Sequence, residues 1–153
     1  MMYLLDTNIC IDFLHGELND GFRLLRESPR SMFKLPSVVV GELLLGVEKA
    51  PLKWQQRERR KVEVFLGEFE VLPFDEKCAR EFARIRAGLE LRGNSIGPMD
   101  MLIAATALAN QAVLVTNNVK EFSRVPGLSL ESWRDIPDIW QEVASMEDDG
   151  FQG

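Results

Sequence analysis

Twice in this chain a short apolar run breaks on a polar triplet: Tyr3-Leu4-Leu5 on Asp6-Thr7-Asn8, and Ala112-Val113-Leu114-Val115 on Thr116-Asn117-Asn118. Runs this short and apolar read as buried strands. Helical patterns lie between them, so strands and helices alternate. Ile9 to Leu14 reads as a helix with Thr7 or Asn8 available as N-cap. A second helix over Gly21 to Glu27 is stopped by Ser28-Pro29. Phe33-Lys34-Leu35 reads as a weak strand, after which Pro36 and Ser37 open a helix from Val38 to Lys49. Lys53 to Gly67 is a long polar helix, and Glu70 to Phe74 a strand. Asp75 is placed to cap a helix from Glu76 to Leu91, whose Cys78, Phe82, Ile85 and Leu89 recur at helical spacing. Gly97-Pro98 starts an alanine-rich helix ending near Asn110, and Leu128 to Leu130 reads as a last strand. The alternation predicts an α/β fold with a parallel sheet and helices on both its faces.

At 153 residues the chain suffices for one domain with a proper core. We expect that domain over 1–134 and an acidic tail over 135–153, partly helical (135–146) or disordered. The net charge is −6, but six of the 24 acids fall in the tail, which has no Lys or Arg; 18 acidic and 18 basic residues remain in 1–134. A neutral body is compatible with a basic rim around an acidic pocket. No apolar run is long enough to span a membrane, and the N-terminus has no basic region of the signal-peptide kind. Cys10 and Cys78 lack metal-ligand spacing. Together these features lead us to expect a cytoplasmic protein with reduced thiols.

In open parallel sheets, ligands bind outside the carboxyl ends of the strands. Asp6 stands at such an end, although an aspartate there also serves as a helix cap. Glu42 lies in Val38-Val39-Val40-Gly41-Glu42-Leu43-Leu44-Leu45-Gly46-Val47, apolar round nearly its whole circumference, so most of this helix should be buried. A lone carboxylate there needs a partner: a cation such as Arg86, or a metal. Asp100 falls in the first turn after Gly97-Pro98, where the helix dipole alone would favour it; Met101, Leu102 and Ile103 mark that helix as buried. Thr116-Asn117-Asn118 is a second polar strand end, readable also as a side-chain-bonded turn. Glu121 is either a surface charge or a further acid.

Other chemistries are excluded by what is missing. No Gly-x-Gly-x-x-Gly follows the first strand, and Gly41-x4-Gly46 leads into Val47-Glu48 rather than a phosphate-loop lysine. The single histidine, His15, is read as a surface or helix-end residue away from these motifs, which rules out multi-histidine zinc sites. What remains is three carboxylates on apolar elements, hard oxygen ligands that suit Mg²⁺, with Mn²⁺ also possible. Crowded carboxylates need a cation, and the usual chemistry of such a cluster is phosphoryl transfer.

Four segments together resemble the PIN-domain ribonucleases, and more narrowly the VapC toxins of toxin–antitoxin pairs. They are Asp6-Thr7-Asn8, Ser37-x4-Glu42-Leu43-x2-Gly46, Gly97-Pro98-x-Asp100-x2-Ile103-Ala104, and Leu114-Val115-Thr116-Asn117-Asn118-x2-Glu121-Phe122. The resemblance covers residues 2–134. It implies a five-stranded parallel sheet flanked by helices, and a Mg²⁺-dependent endoribonuclease acting on structured RNA. It also implies a homodimer and a cognate antitoxin that enters the active-site groove. Asp6, Glu42 and Asp100 match the family's three acids. In that reading Asp6 and Asp100 hold the metal, and Glu42 holds it or orients the attacking water. Thr116 and Asn118 bond waters or the scissile phosphate, and Asn8 holds Asp6 in place. Many PIN domains carry a fourth acid near Asn118; here Glu121 is a less direct substitute, so one well-bound ion is expected. Metal-activated water should leave 5′-phosphate and 3′-hydroxyl ends. The run Arg57, Arg59, Arg60 and Lys61 is a solvated helix face or an RNA contact. The rival readings are a PIN-like module that binds RNA or protein without cutting, and a receiver-type phospho-acceptor domain using Asp75.

Overall fold

The computed structural model describes residues 1–16 and 20–133. The tail expected over 135–153 lies outside them.

Five short strands, β1 (Tyr3–Leu5), β2 (Phe33–Pro36), β3 (Glu70–Leu72), β4 (Val113–Val115) and β5 (Ser129–Glu131), form one all-parallel sheet in the order β3-β2-β1-β4-β5. Seven helices flank it among the described residues: α1 (Thr7–Leu14), α2 (Asp20–Glu27), α3 (Ser37–Lys49), α4 (Leu52–Leu66), α5 (Glu76–Leu91), α6 (Pro98–Ala109) and α7 (Val119–Phe122). A 3₁₀ turn, Arg30–Met32, leads into β2. This is the α/β architecture that the alternation of apolar runs and helical patterns predicts. From central β1 the chain builds outward through β2 and β3, then returns to build outward on the other side through β4 and β5. The order therefore reverses between β1 and β4, where the carboxyl ends of the two strands open a crevice.

The central strands are apolar at successive positions because they are covered on both sides. Leu4, Leu5, Leu35, Leu114 and Val115 are wholly inaccessible. Ala104, Ala105 and Ala107 are equally buried, and their small side chains let α6 lie close against its neighbours, chiefly α5. Aromatic rings close one end of the core, with Trp133 edge-on to both Phe22 and Phe33. Asp75 caps α5 as its position predicts, accepting the Cys78 N–H at 3.1 Å.

Two expectations need correction. The N-cap of α1 is Asp6 itself, with Thr7 already helical. Helix α3 is not buried all round: Val39, Leu43 and Val47 face the core, while Gly41, Leu45 and Gly46 are exposed. A sequence apolar on every side cannot say which side finds a neighbour; α3 packs against α1, α4 and α6 and leaves one face open.

Candidate active site

Asp6 sits where β1 ends in the crevice and is 4% exposed. Its backbone N–H bonds the Val115 carbonyl at 2.9 Å, tying the ends of β1 and β4 together. Its side chain does two tasks. Oδ1 accepts the Thr7 N–H at 2.8 Å, capping α1, and Oδ2 accepts the Thr116 hydroxyl at 2.7 Å. The helix-cap reading therefore holds for Asp6, and capping leaves the same carboxylate lining the cleft. Burial pushes its carboxyl above the ordinary aspartate range; Thr116 and the Thr7 N–H pull it down, and the charges of Glu42 and Glu121 add to the upward push.

Glu42 comes from the second turn of α3 and is half-buried. Its partner among the described residues is neither Arg86, which pairs with Glu90 at 2.9 Å, nor another cation, but the Thr7 hydroxyl, which donates to Oε1 at 2.8 Å. Thr7 thus joins α1 to α3 and holds Glu42 beside Asp6. Sequence reading treats Thr7 only as a possible cap; its place directly after Asp6 at the end of β1 is the one signal that marks it.

Asp100 stands in the first turn of α6, with Pro98 at the helix start. Its carboxyl is pushed up to about 6, first by burial, then by the charges of Asp6, Glu121 and Glu42 and by a hydrogen bond with Glu121. Glu121 behaves in the opposite way. It accepts the Gly97 N–H at 3.0 Å and the Asn118 amide at 2.6 Å, which hold its carboxyl below the usual range, with Arg124 and Asp100 adding to the effect. The contact between the two carboxyls thus raises Asp100 and lowers Glu121. Glu121 is not a surface charge but part of the acidic group, clamping the loop before α6 to the turn after β4. A Cβ at Gly97 would make ordinary contacts, 3.6 Å from Asp100 Oδ2 and 4.0 Å from Glu121 Oε1, which places the two carboxyls on either side of this position.

The supporting residues divide. The buried Thr116 hydroxyl commits its proton to Asp6 and accepts the Asn118 N–H at 2.9 Å. Thr7 and Thr116, not the exposed Asn8, hold Asp6 in place. Asn117 turns aside to donate to Asp12 at 2.9 Å. Of the basic run, Arg59 is paired with Glu48 at 2.5 Å.

Asp6, Thr7, Asn8, Glu42, Asp100 and Asn118 line one cleft of about 340 Å³, together with Ile11, Leu45, Gly46 and Lys49. The three acids that sequence reading selects thus meet in one place. A second hollow of about 210 Å³ shares Ile11, Glu42 and Gly46 with it, and is lined by His15 and Lys61. His15 does close α1 as its C-cap, but it is not remote from the motifs, because this hollow also contains Glu42. Among the described residues no three acidic, histidine or cysteine side chains form a ready-made metal cage. The donor set still fits Mg²⁺, which is ordinarily held by one or two carboxylates and several waters. Burial raises the carboxyls of Asp6 and Asp100 first, and the neighbouring acids add a push that a cation would relieve.

Comparison with known proteins gives the family. The PIN-domain family description fits residues 3–128. Ribonuclease VapC2 of Rickettsia felis is 38% identical over 134 residues, covering 87% of this chain and 98% of that protein. The tRNA(fMet)-specific endonuclease VapC of Salmonella typhimurium is 35% identical over 136 residues, covering 87% and 98%. Among solved structures, VapBC2 from Rickettsia felis bound to a DNA fragment from its promoter matches with a TM-score of 0.77 at 36% identity, covering 87% of this chain and 99% of that one. The chain belongs to the PIN-domain family, with VapC proteins among its relatives.

Proposed function

We propose that this PIN-domain protein is the endoribonuclease toxin of a toxin–antitoxin pair, cutting structured RNA with Asp6, Glu42 and Asp100. The observation that carries the reading is the convergence of these carboxylates, from three separate elements, on one cleft at the reversal point of the sheet. Asp6 and Asp100 would hold Mg²⁺, or Mn²⁺ in its place. The ion, when bound, supplies an activated water and offsets the phosphate charge. Thr116 and Thr7 keep Asp6 oriented. Glu42, anchored by Thr7, holds the attacking water or the ion. Water oxygen bonds to phosphorus as the bond to the 3′ oxygen breaks; the water loses a proton and the departing oxygen gains one. Glu121 and Asn118 keep Asp100 in register across the cleft.

The phospho-acceptor reading loses its key residue, because Asp75 is committed to capping α5 and does not line the cleft. A non-cutting module would have no use for the three acids together. The names of the relatives support a protein partner: solved neighbours include VapBC assemblies from Rickettsia felis and Salmonella typhimurium, both bound to DNA. A cognate antitoxin and a homodimer both fit the exposed Leu45, Leu52, Trp54 and Val64 on α3 and α4. We assign the nuclease unit to 1–134 and treat 135–153 as an appendage. None of the described helices is long and apolar enough to cross a membrane.

End-group analysis tests the chemistry. Fragments of tRNA made in Mg²⁺ should ligate through their 5′-phosphates without kinase treatment, and cleavage should persist in His15→Ala. Cyclic 2′,3′-phosphate ends would mean the ribose hydroxyl is the nucleophile and the carboxylates are misassigned.

A further inference from the structure

Lys49 is the only cation among the described residues that line the acidic cleft. It is exposed, and no ion pair engages it among the described residues; the adjacent Glu48 is taken by Arg59. Its place in the last turn of α3 is favoured by the helix dipole. The dipole does not explain which face it occupies. Lys49 follows Glu42 by seven residues, so it lies on nearly the same face, about 10 Å further along the helix. Between them on that face is Gly46, where a Cβ would meet nothing within 4 Å. The surface from Glu42 to Lys49 is therefore a bare stretch of helix, acidic at one end and cationic at the other.

We propose that Lys49 binds a backbone phosphate of the RNA about one or two nucleotides from the scissile one, and so sets how the strand lies across α3. The inference rests on the RNA-cutting reading above. An acidic cleft repels a polyanion everywhere except where a cation compensates. The metal would do so at the reacting phosphate; Lys49 is the group the chain itself provides further along. Gly46 leaves the helix surface free for the strand to cross.

Steady-state cleavage of bulk tRNA in Mg²⁺ by wild type, Lys49→Gln and Lys49→Arg tests this. Loss of one phosphate contact should raise KM about fivefold with kcat nearly unchanged, since it removes binding common to substrate and transition state. Lys49→Arg should restore most of the loss. Binding to the same tRNA, measured in an Asp100→Asn background, should show the salt-dependence slope smaller by about one in Lys49→Gln. An unchanged KM and slope, or a fall in kcat at constant KM, would overturn the assignment to Lys49 alone. A wild-type protein that cuts no RNA would instead overturn the reading on which it rests, and the assignment with it.

Discussion

The Thr116 hydroxyl donates to Asp6 Oδ2 at 2.7 Å, joining positions 110 residues apart in the chain. The same oxygen accepts the Asn118 N–H at 2.9 Å, so one buried side chain orients the carboxylate of β1 and shapes the turn after β4. Thr116→Val keeps the volume and removes both bonds. It should destabilise the protein by about 2–3 kcal/mol, because a buried carboxylate oxygen and a backbone N–H lose their partners. Thr116→Ser should recover most of this. Urea unfolding of the two variants decides it; a valine variant as stable as wild type would show that Thr116 does not hold Asp6.

Stability without metal should depend on pH through Asp100. Its carboxyl keeps a proton up to about pH 6 in the fold, whereas an unfolded aspartate releases it near 3.9. Between those values the folded chain binds more protons, so stability rises as pH falls from about 6 towards 4, and the ionised carboxylate is a destabilising charge at neutral pH. Solvent screening in the half-open cleft reduces the effect to about 1–2 kcal/mol. Urea midpoints in EDTA at pH 5 and 7.5 measure it. Asp100→Asn should be more stable than wild type at pH 7.5 and should flatten the difference; an unaltered difference would place its source elsewhere.

Asn118→Asp tests how the fourth carboxylate works. The Asn118 amide donates to Glu121 Oε2 at 2.6 Å, so an aspartate there turns a hydrogen bond into a like-charge contact. The variant should be less stable than wild type in EDTA, and Mn²⁺ should raise its unfolding midpoint more than it raises that of wild type. Calorimetric titration should show a second ion bound only by the variant. Two equally tight ions in wild type would mean that Glu121 already completes a second site.

The strand ends carrying Asp6 and Thr116 were legible because a polar triplet that closes a short apolar run marks where a buried strand reaches the rim of the sheet. The segments bearing Glu42 and Asp100 were legible for a related reason: each sets a carboxylate among apolar neighbours, where it needs a partner. Contacts between elements were not. That Thr7 holds Glu42, and that Glu121 clamps Gly97 and Asn118, depends on which helices meet, and no local pattern encodes this. Helix α3 shows the limit most clearly. Its uniform apolarity implied burial, yet its open face carries Gly46 and Leu45 into the cleft. Nothing local marks Lys49 either; only the fold puts it in the lining of the acidic cleft.

The most direct measurement is the initial rate of tRNA cleavage against Mg²⁺ concentration, for wild type and Asp100→Asn, with EDTA as the starting point. Wild type should be inactive in EDTA and should recover fully as Mg²⁺ is added. Asp100→Asn, though folded, should remain slower by about a hundredfold or more at every concentration. Cleavage by wild type that is undiminished in EDTA, or wild-type rates from purified Asp100→Asn, would contradict the assignment of these carboxylates to a metal-dependent nuclease site.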